Sequence, residues 1–170
     1  MIVAVTGGSG FVGRYLVKKL LSQGSRVRVF TRDKSKFLLN ISRLEVIECD
    51  LLNVTSQELI PLLEGVEILF HCVGQLNNEK LMRSLHVDAT KKLSNAASKC
   101  IRRWVQLSSI GVYGNSYDDV TEETDYSPSN EYEKTKMESD FIVLNEARSG
   151  GFECSILRPS NIYGVDMNNQ

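Results

Sequence analysis

The sequence has 170 residues, of which 42% are hydrophobic and 24% charged, and its formal net charge is −1. This length is enough for one α/β core and too short for two. The near-neutral charge gives no reason to expect a nucleic acid or an anionic membrane as a partner. The sequence has no apolar run long enough to span a bilayer, and because the predicted first strand begins beside Met1 we expect no secretory leader. We therefore expect a cytoplasmic protein with one domain, residues 1–170.

The four cysteines show no paired spacing, and three of them lie in or beside apolar runs that predict buried strands. They are Cys49, Cys72, Cys100 and Cys154. We expect small buried thiols in a reducing compartment rather than a disulfide or a metal site.

Six runs of apolar or alternating residues predict strands, at 1–5, 26–31, 44–49, 66–73, 104–108 and 152–157. Helical spacing with start and stop signals predicts helices from Gly13 to Gly24 and at about 35–39, 55–63, 79–99 and 131–147. The stretch from 109 to 130 is rich in Gly, Asn, Asp and Ser and predicts irregular structure. Strands alternating with helices predict an α/β fold with a doubly wound parallel sheet, covered on both faces. With a glycine-rich turn after the first strand, the Rossmann order 3-2-1-4-5-6 is the default.

The turn after the first strand has the sequence Thr6-Gly-Gly-Ser-Gly-Phe-Val-Gly13. In such a turn Gly7 permits the tight bend, Gly10 lets a diphosphate approach the backbone, and Gly13 lets the helix pack close to the strand. The helix that starts here directs unpaired N–H groups and the positive end of its dipole at the phosphates. Three spaced glycines alone are a weak signal. Together with the strand before them and the helix after them, they predict a dinucleotide site.

The end of the second strand, Thr31-Arg32-Asp33, bears on which dinucleotide is bound. A carboxylate here binds the ribose 2′-hydroxyl of NAD, whereas an Arg suits the 2′-phosphate of NADP. Because Thr31 and Arg32 come before the carboxylate, we expect NAD(P) with NADP slightly favoured. The alternative is that Arg32 is a solvated surface charge and that Asp33 turns back to the ribose. Asp50, at the end of the third strand, either accepts a hydrogen bond from adenine or caps a turn.

Tyr132 and Lys136 are four residues apart on a predicted helix and therefore share one face. A nearby ammonium, together with the positive nicotinamide of the cofactor, would favour the phenolate, and lowering the pKa of a tyrosine from about 10 to near 7 takes about 4 kcal/mol. Tyr132 would then exchange a proton with a substrate hydroxyl or carbonyl during hydride transfer, and Ser109 would hydrogen-bond the same oxygen. Taken alone, a tyrosine and a lysine at this spacing indicate an ordinary pair on the surface of a helix. Sites in such sheets lie at the carboxyl ends of the strands, where Ser109 also stands, and this favours the catalytic interpretation.

Four motifs, in order along essentially the whole chain, resemble the extended short-chain dehydrogenases/reductases. That is the NAD-dependent epimerase/dehydratase group, which includes UDP-glucose 4-epimerase. The motifs are the glycine turn at 6–13, Ser108-Ser-Ile-Gly-Val-Tyr-Gly114, Tyr132-Glu-Lys-Thr-Lys136 and Leu157-Arg-Pro-Ser-Asn-Ile-Tyr-Gly164. The resemblance implies Tyr132 as acid and base, Lys136 as the holder of the nicotinamide ribose, and Ser109 as the substrate-oriented hydroxyl. It also implies a cofactor site in which Gly7, Gly10, Phe11 and Val12 line the diphosphate, Asp50 and Leu51 the adenine, Val73 and Gly74 the ribose, and Pro159 the nicotinamide.

The sequence departs from the family pattern at four places. Thr31 stands where many NAD-using members carry an acidic residue, which strengthens the expectation of NADP. His86 stands where the family usually has Asn; it replaces that Asn in a hydrogen-bond network or simply packs, and we assign it no catalytic role. Val73-Gly74 replaces the usual Ala-Ala or Ala-Gly. The chain stops at Gln170, without the C-terminal part that binds substrate in the family. The sequence is then either an excised N-terminal domain, which we favour, or a naturally shortened protein. On its own we expect it to bind cofactor and to hold substrate poorly.

The resemblance implies an enzyme that acts on a nucleotide-sugar, either an epimerase or a ketosugar reductase. Family dehydratases carry an acidic pair where this sequence has Ile110-Gly111, so 4,6-dehydration is disfavoured. Reduction of other hydroxyl or keto compounds stays open. A non-catalytic NADP-binding sensor or assembly subunit also stays open, although the retained tyrosine and lysine count against it. Apolar residues in the helices near 79–99 and 131–147, such as Met137, Phe141 and Leu144, predict a homodimer through those helices; the alternative is that they only cover the sheet.

Overall fold

The computed structural model describes residues 1–37, 41–115, 119–165 and 167. Within these ranges, six strands form one wholly parallel sheet in the order β3-β2-β1-β4-β5-β6. The strands are β1 (Ile2–Thr6), β2 (Arg26–Thr31), β3 (Leu44–Glu48), β4 (Val66–His71), β5 (Arg103–Leu107) and β6 (Glu153–Leu157). The predicted Rossmann order is confirmed.

The helices are α1 (Phe11–Ser22), α2 (Ser56–Leu62), α3 (Glu79–Met82), α4 (Ala89–Ala97) and α5 (Glu131–Arg148). A π-helical segment, Arg83–Asp88, joins α3 to α4, so the helix predicted near 79–99 is continuous but widened in its middle. A 3₁₀ segment, Lys34–Lys36, takes the place of the helix predicted at 35–39, of which residues 38 and 39 lie outside the described ranges. A second 3₁₀ segment, Ile110–Tyr113, lies in the stretch predicted to be irregular.

Local side-chain chemistry fixes where the helices begin. At α2, the Thr55 hydroxyl accepts from the Glu58 N–H (3.3 Å), and the Glu58 carboxylate accepts from the Thr55 N–H (2.9 Å). This capping box satisfies two backbone donors at once and starts α2 within the range predicted for a helix, 55–63. At α5, the side chain of Asn130 accepts from the Glu133 N–H at 3.0 Å. Because Tyr132 and Lys136 are four residues apart in the helix that this cap starts, they lie on the same side of α5.

The two faces of the sheet are covered unequally. On one face, Val17 and Leu20 of α1 pack on buried valines of β1 and β2. On the other face, α2, α4 and α5 pack around Leu69 and Trp104. Alternate residues of β6 point to the α1 side, and one of them, Leu157, is 53% exposed. Within the described ranges, the predicted double coverage therefore holds over β1 and β2 and is incomplete over β6.

The described cysteines are free thiols: Cys49 is buried, and Cys72, Cys100 and Cys154 are partly buried. Across the described ranges, the helices are all too short or too polar to cross a membrane.

Candidate active site

Two adjoining grooves lie over the carboxyl ends of the strands, where ligands bind in doubly wound sheets. The first groove is lined by Gly7, Ser9, Gly10, Phe30, Thr31, Arg32, Asp33, Lys36, Cys49, Asp50, Leu51, Cys72, Val73, Gly74, Gln75 and Leu85. The second groove is lined by Gly10, Phe11, Val12, Gly13, Cys72, Val73, Gly74, Leu76, Leu107, Ser108, Ser109, Tyr132, Lys136, Pro159, Ser160, Asn161 and Ile162. Gly10 and the segment Cys72–Gly74 line both, so the grooves meet at the glycine turn.

The glycine turn has a backbone geometry that side chains would disrupt. Gly7 has φ +70°, and an added Cβ would lie 2.7 Å from the carbonyl of Cys72. A Cβ on Gly13 would overlap the carbonyl oxygen of Gly7, so α1 can start this close to the turn only with glycine there. Gly10 caps α1 without a side-chain hydrogen bond, and the first N–H groups of a helix have no partner within the helix. Because these residues line the second groove, the turn offers an anion the donors of a helix N-terminus.

The segment that follows β2 places two cations, Arg32 and Lys36, along the first groove. The carboxylate of Asp33, in the same segment, is held in a local turn. The buried Thr31 hydroxyl donates to the Asp33 carbonyl (3.1 Å) and accepts from the Asp33 N–H (3.2 Å). Asp33 Oδ1 in turn accepts from the Ser35 hydroxyl (2.6 Å) and N–H (2.9 Å), and these two bonds lower the pKa of the carboxyl group. Arg32 and Lys36 are exposed and take part in none of the ion pairs found among the described residues.

Asp50 acts as a turn residue at the end of β3. Its Oδ1 accepts from the Leu52 N–H (3.1 Å) and its Oδ2 from the Asn53 side-chain amide (2.6 Å). It also lines the first groove beside Leu51, which is buried. The structure shows the turn-capping role, while an adenine contact stays a prediction.

The three predicted reacting residues all line the second groove. The Tyr132 hydroxyl is hydrogen-bonded to the Ser109 side chain, whose Oγ also accepts from the Gly111 N–H at 3.1 Å. Lys136 is 3% exposed, and its Nζ donates to the Leu107 carbonyl oxygen at 2.5 Å. The carbonyl of Pro159 accepts from the Ile110 N–H at 3.0 Å and so ties the chain after β6 to the segment after β5. The carboxyl end of the sheet thus brings a phenol, a hydroxyl and an ammonium group together beside the start of α1.

A family model described as the NAD dependent epimerase/dehydratase family matches residues 3–170. The chain belongs to this family. Cinnamoyl-CoA reductase 1 of Oryza sativa subsp. japonica is 31% identical over 183 aligned positions, which cover 96% of this chain and 54% of the rice protein. A short-chain dehydrogenase/reductase superfamily protein from Agrobacterium tumefaciens, crystallised with bound NAD, is 31% identical with a TM-score of 0.82, over 93% of this chain and 48% of that one. UDP-glucuronic acid 4-epimerase from Bacillus cereus, in complex with NAD, shows the same fold at 22% identity and a TM-score of 0.82, over 96% of this chain and 57% of that one.

The chain spans about half the length of the curated relatives it matches, between 41% and 54% for the first three. The solved epimerase/dehydratase-type structures named above contain NAD. The proteins named above are thus a reductase, a short-chain dehydrogenase/reductase superfamily protein and an epimerase.

The sequence predicts that Lys136 helps to lower the pKa of Tyr132. In the structure of this epimerase/dehydratase family chain, the pKa of Tyr132 is raised instead. Burial raises the pKa of Tyr132, and its hydrogen bond to Ser109 opposes that effect only in part. Burial also lowers the pKa of Lys136 to about 8, and the negative charge of Asp140 opposes this shift. The ammonium is held at the Leu107 carbonyl instead of at the phenol. Tyr132 is therefore a protonated phenol at neutral pH and can serve as a proton donor.

A buried ion pair one helical turn after the lysine holds the surroundings of the site. Asp140 Oδ2 accepts from the Ser108 hydroxyl (2.8 Å) and from Arg158 Nε (3.0 Å). The same Arg158 guanidinium donates to the hydroxyls of Tyr113 and Tyr126, both at 2.7 Å. These bonds fix the chain after β5 and after β6 against α5.

His86 enters a hydrogen-bond network through both ring nitrogens. The Gln75 N–H donates to Nε2 at 2.8 Å, and Nδ1 lies 2.9 Å from Thr135 Oγ1. The ring is 1% exposed and lines neither groove. Of the two interpretations that the sequence allows, network or packing alone, the structure shows the network.

Sequence reasoning missed several residues that surround the site. Lys36 and Gln75 line the first groove, and no local motif marks either of them. Asp140 follows Lys136 by four residues, so its place on the same helix face was readable from the spacing. Its partner Arg158 is 18 residues further along and becomes a partner only through the fold.

Proposed function

We propose that this chain is the cofactor-binding half of an NADP-dependent enzyme that moves a hydride to or from a carbon bearing a hydroxyl or keto oxygen. The single observation that carries the proposal is that Ser109, Tyr132 and Lys136 share one groove with the start of α1. Because the grooves meet at the glycine turn, the turn would hold a diphosphate, the first groove the adenosine and the second the nicotinamide. The cofactor would supply the nicotinamide carbon that gives or accepts the hydride.

The residues of the second groove suit proton transfer to a reduced carbonyl. Tyr132 keeps its proton at neutral pH because burial raises its pKa, so it can protonate the substrate oxygen as charge develops there. Ser109 already bonds the phenol and would donate to the same substrate oxygen. Lys136 would exchange the Leu107 carbonyl for the nicotinamide ribose, the role that the family resemblance implies. In the oxidative direction Tyr132 must first lose its proton, and a positively charged group brought close to the phenol would favour that loss.

The end of β2 supports NADP rather than NAD. Arg32 and Lys36 both border the first groove, and a 2′-phosphate would give these cations a doubly charged partner. Asp33, the carboxylate that would otherwise bind a 2′-hydroxyl, has Oδ1 committed to Ser35. The solved relatives contain NAD, which describes those proteins. For this chain we infer a preference for NADP from its own cations, Arg32 and Lys36.

A nucleotide-sugar is the substrate class we propose first, because the four motifs together resemble nucleotide-sugar epimerases and reductases. A non-sugar carbonyl compound is the second candidate, because the rice relative is a cinnamoyl-CoA reductase. The half of the relatives that lies beyond this chain would complete the substrate site. Exposure of Leu157 on the open side of β6 supports such a covering part.

We also propose a homodimer through α5 and the helix from 79 to 97. Met137, Phe141 and Leu144 recur along α5 at helical spacing, and Phe141 is 39% exposed. Sedimentation of the parent chain should show a dimer, and Phe141→Glu should give a monomer. A parent chain that sediments as a monomer would contradict this part of the proposal.

Replacing Tyr132 by Phe tests the enzymatic function. In the protein that carries this chain, NADPH oxidation is followed with a 4-keto nucleotide-sugar and with cinnamoyl-CoA, and NADPH affinity is measured by calorimetry. Tyr132→Phe should lower turnover at least about 100-fold, the usual contribution of a positioned acid, while the Kd for NADPH stays unchanged. Tyr163→Phe is the matched control, since Tyr163 is 86% exposed. Undiminished turnover in Tyr132→Phe would contradict the proposal, and bound NADPH without turnover of any carbonyl substrate would favour a sensor.

A further inference from the structure

The hydrogen bonds around His86 allow one neutral tautomer only. A backbone N–H can only donate, so the Gln75 N–H at 2.8 Å makes Nε2 the acceptor and places the ring proton on Nδ1. At the other side, the Thr135 hydroxyl donates to the carbonyls of Glu131 (2.8 Å) and Tyr132 (3.0 Å). Its oxygen is therefore free to accept from Nδ1–H at 2.9 Å. Each donor in this chain of bonds meets an acceptor, from the Gln75 backbone to the first turn of α5.

This series of hydrogen bonds has one end where the two grooves meet and the other on α5, between Tyr132 and Lys136. Gln75 follows Gly74, in the segment after β4 where the two grooves meet. Thr135 lies between Tyr132 and Lys136 on α5, and the His86 ring also packs edge-on against the Tyr132 ring, with centroids 5.6 Å apart and planes at 82°. The ring thus touches the proposed proton donor while it bonds the backbone beside the cofactor groove.

The helix is reshaped at the residue that makes these contacts. The π-helical segment Arg83–Asp88 places His86 in its middle, between two α-helical stretches. Such segments are rare and occur often at functional sites. Simple filling of space would need neither a widened helix turn nor polar partners at both nitrogens.

We propose that His86 is a positioning residue, locked as the Nδ1–H tautomer, that couples the segment after β4 to the turn of α5 that carries Tyr132. The ring stays neutral because burial, with the charge of Lys136 as a smaller cause, lowers its pKa to about 3. The expected effect of His86 on cofactor binding rests on the proposed function, whereas the coupling between the segment after β4 and α5 does not.

Two measurements that need no cofactor test the coupling. Nitrogen chemical shifts of the imidazoles can be assigned with one variant, because His71 and His86 are the only histidines in the sequence. We expect a protonated Nδ1 and an unprotonated Nε2 for His86. Hydrogen exchange of the Gln75 backbone amide should be slow in the parent chain. It should also be slow in His86→Gln, because the side-chain amide introduced there offers one acceptor and one donor. In His86→Leu the Gln75 amide should exchange at least about tenfold faster. A protonated Nε2, or a Gln75 amide that exchanges equally in the Gln and Leu variants, would overturn the coupling.

The consequence for the site is tested by NADPH affinity. We expect His86→Leu to weaken NADPH binding about tenfold and His86→Gln to restore it to within about twofold of the parent. If the parent chain binds no NADPH, the proposed function fails while the two cofactor-free measurements still decide the coupling. If the parent and both variants bind NADPH equally, His86 is structural only and the positioning role is wrong. If His86→Leu does not fold, three other measurements decide whether the coupling exists. They are the His86 tautomer in the parent chain, hydrogen exchange of the Gln75 amide in His86→Gln, and the NADPH affinity of His86→Gln.

Discussion

Mild acid should destabilise this chain through its two histidines. His71 and His86 are each 1% exposed, and both nitrogens of each ring are hydrogen-bonded. Burial is the main cause that lowers the pKa of both to about 3 from the ordinary value of 6.5, and the charge of Lys136 adds to it. Unfolding exposes the rings, and each then takes up a proton at its ordinary pKa.

The size of the effect follows from these pKa values. A group whose pKa is lower in the folded state contributes stability that is present above the unfolded pKa and is lost as the pH falls toward the folded one. Here that window runs from 6.5 to about 3. Between about pH 7 and about pH 5, each histidine should remove about 2 kcal/mol from the free energy of unfolding, or about 4 kcal/mol for the pair. That is a large share of the 5–15 kcal/mol typical of a folded domain.

Urea unfolding followed by circular dichroism at both pH values measures this loss. His71→Gln and His86→Gln should each lose about 2 kcal/mol less than the parent between the two pH values, whatever their absolute stability. Other titrating groups, including Asp140, whose pKa burial raises, are common to all three chains and cancel in the comparison. A variant that loses as much stability as the parent would show that its histidine titrates normally in the folded chain, and the reasoning would be refuted.

Two further predictions concern packing and the buried ion pair. Gly13→Ala forces a methyl group against the carbonyl of Gly7 and should cost about 1–3 kcal/mol, seen in calorimetry as a Tm lower by about 5 °C. Gly74→Ala, whose Cβ would have no atom within 4 Å, should leave the Tm unchanged, and equal Tm values for the two variants would contradict the close approach. Arg158→Leu strands the buried Asp140 carboxylate and should cost about 3–5 kcal/mol in urea unfolding. Adding Asp140→Asn to that variant should recover part of the loss, and no recovery would contradict a stabilising ion pair.

Local signals in the sequence predict the sheet and the place of the reacting residues. Strands β1 to β6 are short apolar runs between turn signals, and the topology of such alternating chains follows from general rules. Once the order is set, the ends of β1 and β5 and the start of α5 must share one edge. The grouping of Ser109, Tyr132 and Lys136 in one groove therefore follows from the spacing and the topology together.

What the sequence did not predict depends on contacts between distant segments. The direction of the Asp33 carboxylate depends on the hydroxyl and the N–H of Ser35, which compete with any ligand for Oδ1. The state of Tyr132 depends on burial and on where the Lys136 ammonium finds its acceptor, and a spacing of four residues fixes neither. Coupling through His86 likewise needs a π-helical turn, for which no reliable sequence signal exists.

Competitive calorimetric titration of this chain with NADPH and NADH is the most direct test of the central claim, an NADP site at the end of β2. We expect NADPH to bind at least about tenfold more tightly than NADH, with the difference lost in Arg32→Ala and reduced in Lys36→Ala. Arg26→Ala, an exposed arginine at the opposite end of the same strand, should leave both affinities unchanged. NADH binding that equals or exceeds NADPH binding and is insensitive to Arg32 would contradict the NADP site and point to an NAD-dependent epimerase.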